Sequence, residues 1–445
     1  GAGSVAEAFA GDIHEGDVIL HNDPYRGGLH CPEHTFFKPF YMDGELLGFA
    51  VVIGPVAEIG GMVPGAFCGE ATEIFHEGLR IPPVKIQKRG EDVAEVWKLL
   101  LANTRTPRQN YGDLRAMIGA VDLGVDRIQQ DLMDYAERRM RAELASFPDG
   151  KYSFHDVIEN DGIEAVPYTV AIDLHIIGDE LVADYDRSSP QARGPVNATL
   201  GVATGAVYNG MLHVTDPSIP KNSGCFRPIR VVSPPGKVTN VDYPGPLVAG
   251  NTETHPRLAN ITIGAMSNCV PERAMASESC TGTNFVFGGE HPDYHEYFAC
   301  YDIMSGGWGG RYGHDGNDCV IAINGNCRFN PTEVFETRFP LMVEDCAMNT
   351  DSGGAGRWRG GLGYTRTLLI TEVPITGSQC SDRHEVKPFA LLGGEEGGNG
   401  ATLIQPAGST EWQTVRELHH KVSTSKDANV RFAPGDRVRL RTPGG

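Results

Sequence analysis

The feature that most limits what this chain can fold into is its distribution of glycine. Of 445 residues, 56 are glycine, and they gather in runs: "SGGWGGRYGHDG" (305–316), "DSGGAGRWRGGLG" (351–363), "LLGGEEGGNG" (391–400) and the terminal "TPGG". Together with 29 prolines such runs would suit a disordered chain, but apolar residues make up 40% of the total and Trp, Tyr and Arg interleave with the glycines. Chains stay unfolded when they lack apolar surface to bury, which is not the case here. No collagen period is present. The runs therefore read as ordered, irregular backbone, including extended polyproline-type segments that pack closely because no Cβ intervenes.

Elsewhere the pattern is that of an α+β chain. Residues 16–55 alternate in short β-rich runs, with "MDGE" as a hairpin turn. Residues 91–146 carry a 3.6-residue period, in Val93, Val96, Leu99 and Leu100, then Leu114, Met117, Ile118 and Val121, then Ile128, Leu132 and Tyr135. The segment "NTRTPRQN" divides that stretch into separate helices. Strand periodicity returns over 150–189, and small-residue segments such as "TLGVATGAVYNGML" and "RLANITIGAM" predict tightly packed helices. Four regions follow: 1–90, a β-rich site region; 91–147, a helical layer; 148–250, a β meander with small-residue helices; and 251–445, a glycine-rich β and polyproline region. They are expected to form one continuous multi-lobed unit.

A net charge of −19 argues against a nucleic-acid surface and against docking on anionic membranes. No apolar run reaches the roughly 18 residues of a membrane span, and the first residues lack a basic stretch leading into an apolar one. The ten cysteines form no Cys-x-x-Cys pair, so reduced thiols in a soluble, cytoplasmic protein are expected. The chain does not start with methionine, and residues upstream of Gly1 are expected. There is no G-x-x-x-x-G-K-[ST], no H-E-x-x-H and no G-x-S-x-G.

The densest local chemistry is "HNDPYRGGLHCPEH" (21–34), with three histidines, Asp23, Arg26, Cys31 and Glu33 around a Gly-Gly turn. His30 and Glu33 admit three readings. They are metal ligands, since imidazole and carboxylate suit zinc or manganese. They are acid–base groups in a metal-free site. Or they are hydrogen-bonded members of a polar turn. Asp23 can belong to the site or cap the turn before Pro24. Arg26 and Arg80 can hold phosphate or carboxylate, or form structural ion pairs. Glu58, in "AEIGG", can orient His30 or satisfy backbone N–H groups around the glycines. Arg311, His314 and Asp315 fall on a glycine-rich loop.

Five stretches in order, "GDVILHNDPYRGGLHCPEHTFFKPFYMDGELLGFAVV", "GEATEIFHEGLRIPPVKIQKRGE", "NYGDLRA", "NTDSGGAGRWRGGLGYTRT" and "SDRHEVKPFALLGGEEGG", resemble the hydantoinase B family, from about residue 12 to Gly445. That family includes the matching half of 5-oxoprolinases and subunits of caprolactamase and of acetone and acetophenone carboxylases. The resemblance implies two β-sheets in a barrel-like arrangement with a helical layer, running into a glycine-rich bundle of short polyproline-II-like segments. It implies a hetero-oligomer with a hydantoinase A-type partner. The partner, not this chain, binds ATP and phosphorylates a small ketone or lactam. It also implies a metal site of His-x-x-Asp, a second histidine about 25 residues on and sometimes an upstream acid. Here His30 matches, Glu33 stands where Asp is usual, and the second histidine position falls at Pro55 and Val56. His34 or His21 would have to compensate.

Replacing a polar ligand by Pro55 and Val56 makes a drier pocket, which suits an enolate shielded from water. The leading expectation is therefore a subunit of an ATP-dependent ketone carboxylase of the acetophenone type. The alternatives are an ATP-dependent amidohydrolase of the N-methylhydantoinase, 5-oxoprolinase or caprolactamase type, and a non-catalytic scaffold subunit.

Overall fold

In the computed structural model every residue is described except Asp43 and 126–129, with the side chains of Met42 and 130–132 also left aside. Ile128 and the Leu132 side chain, two positions of the expected helical stripe, thus lie outside the described residues, as does Asp43 in the "MDGE" turn. The β-rich start forms β1 (Val18–His21), β2 (Glu33–Met42) and β3 (Glu45–Pro55). With β4 (Val84–Lys88) and β5 (Glu91–Asp92) these make an antiparallel sheet in the order β3-β2-β1-β4-β5. Side chains alternate across a strand. Val18, Leu20 and Phe36 pack towards the helices, while Ile19 and Phe37 meet Val5 of helix α1 (Ala2–Ala8).

The helical stretch divides into α2 (Ala94–Ala102), α3 (Pro107–Val125) and α4 (Gln130–Ala145). Leu114, Met117, Ile118 and Val121 of α3 are buried as the period predicts. In α2 the buried residues are Trp97 and Leu100, and Leu99 is 57% exposed. Trp97, over whose ring Arg115 lies at 4.4 Å, takes the buried place beside Leu100. In α4, Ala136, Met140 and Leu144 reach the core and Tyr135 is exposed.

A meander of β6 (Gly150–Ile158), β7 (Tyr168–Ile177) and β8 (Glu180–Asp184) takes β9 (Ile229–Val232) as a parallel fourth strand. Against it lie α5 (Leu200–Val214) and α7 (Thr254–Met266), with the short α6 (Ser223–Phe226) between them in sequence. Small residues are required between α5 and α7: a Cβ on Gly210 would stand 2.7 Å from the Ala259 carbonyl oxygen.

The remaining strands are dealt alternately to two sheets. One contains β10 (Asn284–Glu290), β11 (Tyr297–Asp302), β14 (Ile375–Cys380) and β17 (Lys426–Phe432), in the order β11-β10-β14-β17. The other contains β12 (Leu341–Met348), β13 (Tyr364–Ile370), β15 (Ala401–Gln405), β16 (Gln413–Thr414) and β18 (Arg437–Arg441), in the order β12-β13-β18-β15-β16. Helices α8 (Thr332–Arg338) and α9 (Val415–His419) flank them. Phe285, Phe287, Leu368, Ile370, Val430 and Leu440 share the core between these two sheets.

The expected barrel-like pair is thus corrected to four open sheets among the described residues, each ending in edge strands. Closure would require the two edge strands of a sheet to pair with each other, and among the described residues β11 does not pair with β17 nor β12 with β16. The glycine runs do meet backbone to backbone. Gly316 N–H donates to Arg359 O (2.7 Å), Gly361 N–H to Trp308 O (2.7 Å) and Gly445 N–H to Gly361 O (3.0 Å). A Cβ on Gly316 would overlap the Trp308 carbonyl oxygen. All ten cysteines are free thiols, and no described helix is long and apolar enough to cross a membrane.

A buried charge network joins the meander, α7 and the β14–β17 sheet. Arg257 contacts Asp156 at 3.2 Å and Asp382 at 3.1 Å, Arg383 also pairs with Asp156, and Lys426 lies 3.5 Å from Asp382. Burial opposes ionisation of both aspartates, but Arg383 and Arg257 hold Asp156 below its usual value, and Arg257, Lys426 and Arg383 hold Asp382 well below the usual carboxylate range. Arg257 contacts both aspartates, and its loss leaves buried Asp382 with only the longer 3.5 Å contact to Lys426, so Arg257→Met should lower unfolding free energy by about 3–5 kcal/mol in urea titrations.

Glu77 is a separate buried acid. Its Oε1 accepts from Leu247 N–H (2.6 Å) and Val248 N–H (2.9 Å), Oε2 has no partner, and burial pushes the carboxyl up to about 8. Its folded pKa exceeds the unfolded one. The folded state therefore binds the extra proton, and stability falls as pH rises from about 4.5 to about 8. Glu77→Gln, which cannot ionise, should flatten that decline and melt above the parent at pH 9.

Candidate active site

His30 and Glu33 come together. Pro32 and Glu33 end the Gly-Gly loop and open β2, so an i, i+3 turn sets the imidazole beside the carboxylate, with His30 Nδ1 3.8 Å from Glu33 Oε2. Neither atom has a hydrogen-bond partner, and both side chains are almost fully buried. Burial lowers His30 to about 4, so the ring is neutral near pH 7 and the contact is not an ion pair. Burial raises Glu33 to about 7, against the pull of its bond from Asn251 Nδ2 to Oε1 (3.0 Å). Asn251 is held in turn by Asn324, whose Nδ2 donates to its carbonyl oxygen at 2.7 Å.

Aromatic rings close the pair in. His30 meets the edge of Phe67 at 5.4 Å between centroids, and Phe67 stacks on Tyr301 at 4.7 Å. Phe67 follows Gly65 and Ala66, both at positive φ (74° and 64°). A left-handed alanine is uncommon and is tolerated where the surroundings impose it. Tyr301 also lines a cavity of about 1150 Å³, together with Pro55, Val56, Arg105, Arg108 and Arg338.

The period-2 alternation of β2 decides the other histidines. Glu33 and Thr35 share one face, and His34 takes the opposite one. There it packs among Ile59, Leu100 and Leu114 and donates from Nδ1 to Pro32 O at 3.2 Å. His21 pairs across the sheet with Thr35, but its ring stacks on Phe37 at 5.1 Å. Pro55 sits directly across the sheet from Glu33. The second-histidine position implied by the resemblance is thus adjacent to Glu33 in space and carries no ligand. Among the described residues no group of three His, Cys, Asp or Glu is gathered to hold a metal ion. The donor set of His30 and Glu33 falls short of the shells zinc or manganese take.

The other candidates are spread. Asp23 caps the turn Pro24–Arg26, its carboxylate accepting from Tyr25 N–H at 3.1 Å, and it lies 3.7 Å from both Arg26 and Arg80. Arg80 also covers Tyr243 at 4.9 Å. Glu58 is bound away from His30. Its carboxylate accepts from Gly60 N–H (2.7 Å), Thr104 Oγ1 (3.1 Å), Arg105 N–H and Arg105 Nη1 (2.6 Å), which pins the α2–α3 linker beside the cavity. Arg311 and His314 exchange backbone hydrogen bonds in a tight turn, and Asp315 accepts from Arg359 N–H at 2.8 Å. Phe67, Asn251, Asn284 and Tyr301 were not singled out from sequence. The polar run "GNTETH" before α7 was the one available signal.

An imidazole and a carboxyl whose facing atoms lack partners thus stand against the Phe67–Tyr301 stack on a mixed α+β scaffold, a candidate site. The Hydantoinase B/oxoprolinase family model matches residues 2–445, and the chain belongs to that family. It is 30% identical to a putative D-/L-hydantoinase subunit of Pseudomonas sp. (strain NS671), over 88% of this chain and 70% of that protein. The crystal structure of ATP-dependent caprolactamase from Pseudomonas jessenii superposes with a TM-score of 0.84 at 29% identity, covering 99% of this chain and 78% of that one. Nucleotide-free acetone carboxylase superposes with a TM-score of 0.86 at 17% identity, covering 99% and 65%, a likeness of fold alone.

Glu58→Ala removes four hydrogen bonds and leaves Arg105 unpaired. It should cost about 2–4 kcal/mol of stability and speed proteolysis within 103–106, measured by urea titration and limited digestion.

Proposed function

We propose that this chain is the subunit of a heteromeric ATP-dependent enzyme in which a cyclic amide, activated by phosphoryl transfer on a hydantoinase A-type partner, is opened beside His30 and Glu33. The observation that carries it is the buried pair whose facing atoms, His30 Nδ1 and Glu33 Oε2, lack partners against the Phe67–Tyr301 stack, where Tyr301 lines a cavity of about 1150 Å³. An imidazole nitrogen and a carboxylate oxygen that face each other with no other partner are free to bind and exchange a proton. A carboxyl near neutrality beside a neutral imidazole suits transfer of a proton from water to a leaving nitrogen. Two relatives at 30% identity are named for hydantoins and caprolactam, which supports a cyclic amide over the ketone favoured from sequence. Ketone carboxylation is the second reading, and the apolar Pro55–Val56 wall favours it. In either case the partner holds the ATP, and the arginines that line the cavity suit an anionic, phosphorylated substrate. The polyproline-II form of the glycine segments also belongs to this reading, supported by their backbone-to-backbone hydrogen bonds.

The chain co-expressed with a kinase-fold partner should open hydantoin or a lactam with ATP consumption. His30→Ala and Glu33→Gln should each lower turnover by about 100-fold or more while the complex still assembles. Full activity in both variants defeats the reading. Bicarbonate-dependent consumption of a ketone, with no ring opening, transfers it to carboxylation. Metal analysis of the same complex decides whether zinc or manganese joins the pair.

A further inference from the structure

We propose that Asn251, aimed by Asn324, is a positioning residue that binds one oxygen of Glu33 and commits the other, on the His30 side, to the reaction. The chemistry rests on the ring-opening reading above; the orientation of the groups rests on hydrogen-bond geometry. A backbone carbonyl can only accept, so the atom that faces it must be a donor. Asn324 meets the Asn251 carbonyl oxygen at 2.7 Å, which makes the contacting atom its Nδ2. The same Nδ2 lies 3.4 Å from the side-chain oxygen of Asn251, a long contact that suits an oxygen there and not a second N–H₂. With Oδ1 turned to that donor, the amide nitrogen of Asn251 is turned to Glu33, and it donates to Oε1 at 3.0 Å. Oε1 is thereby occupied. Glu33 Oε2 has no hydrogen-bond partner among the described residues and stands 3.8 Å from His30 Nδ1.

The segment that carries Asn324 is held by both backbone groups of the residue before it. Ile323 N–H donates to Glu278 Oε1 at 3.1 Å, and Ile323 O accepts from Asn209 Nδ2 of α5, also at 3.1 Å. Glu278 is buried, and its own N–H donates to Asn260 Oδ1 of α7 at 3.1 Å. Helices α5 and α7 thus fix where Asn324 sits, and Asn251 itself lies just before α7. The last torsion of a glutamate is broad and roughly two-fold, so an unguided carboxyl could present either oxygen to His30. A single donated bond on Oε1 removes that freedom. Holding a reacting group through the atom it does not use, on rigid elements behind it, is how a site keeps its geometry without blocking its chemistry.

The test uses the complex with its kinase-fold partner, ATP, and hydantoin or ε-caprolactam. Asn251→Ala should lower kcat about 10- to 100-fold with KM within about twofold of wild type. Asn251→Asp keeps the shape but has no N–H to give, and should do no better. A kcat restored in Asn251→Asp, a KM effect at constant kcat, or no effect in Asn251→Ala overturns the role. Asn324→Ala acts only through Asn251, so it should lower kcat by a smaller factor, and the double variant should match Asn251→Ala alone. Losses that multiply overturn the relay. If the wild-type complex opens neither probe, the ring-opening reading fails, and diffraction still decides the positioning. The Glu33 carboxyl should be turned from its wild-type setting in crystals of Asn251→Ala, or of Asn324→Ala should the first not assemble. A carboxyl left in place overturns the proposal.

Discussion

The rest of the structure depends on a set of charges that have no water around them. Arg257 of α7 stands between Asp156 of the meander and Asp382 beyond β14, and Lys426 of β17 and Arg383 complete the set. These groups come from positions as far apart as 156 and 426, so the network can form only when three layers are already in contact. Buried charges tolerate little displacement, because each lost contact exposes a full desolvation penalty. The network therefore acts as a clamp on α7 and on the ends of β14 and β17.

The candidate site stands on that clamp. Asn251 and Glu253 lie just before α7, Asn284 opens β10 next to β14, and Tyr301 lies on the neighbouring β11. One half of the site, His30 and Glu33, comes from the first sheet; the other half comes from elements that the charges hold in register. Burial does the chemical tuning, lowering the imidazole to about 4, so that it is neutral near pH 7, and raising the carboxyl to about 7. In so apolar a setting one orienting hydrogen bond, from Asn251, decides which carboxyl oxygen remains free to react.

Much of the scaffold was legible from periodicity. The β2–β3 hairpin, the buried stripe of α3 and the meander follow from local alternation, which the fold had no reason to override. Leu99 shows where that reasoning stops, since Trp97, with Arg115 of another helix over its ring, takes the buried place beside Leu100. The barrel-like pair of sheets failed for the same reason, because strand dealing between two sheets is a matter of long-range pairing. Within the site, His30 and Glu33 were visible because an i, i+3 spacing brings them together locally. Of the two roles open to Glu58, its carboxylate takes the backbone one at Gly60 N–H, and it is further captured by the linker at Thr104 and Arg105. Tyr301 looked like an ordinary strand residue in "YFACYD".

The amino-acid sequence by itself determined the family, the glycine runs that only bare backbone can satisfy, and the His30–Glu33 turn. All three rest on residues near one another in the chain. Tertiary structure alone decided that His34 faces away from Glu33, that Pro55 lies opposite it, and that Asn251 binds it. The reason is that hydrogen-bond direction and burial depend on partners more than 200 residues distant for Asn251 and Glu33, which no local pattern records.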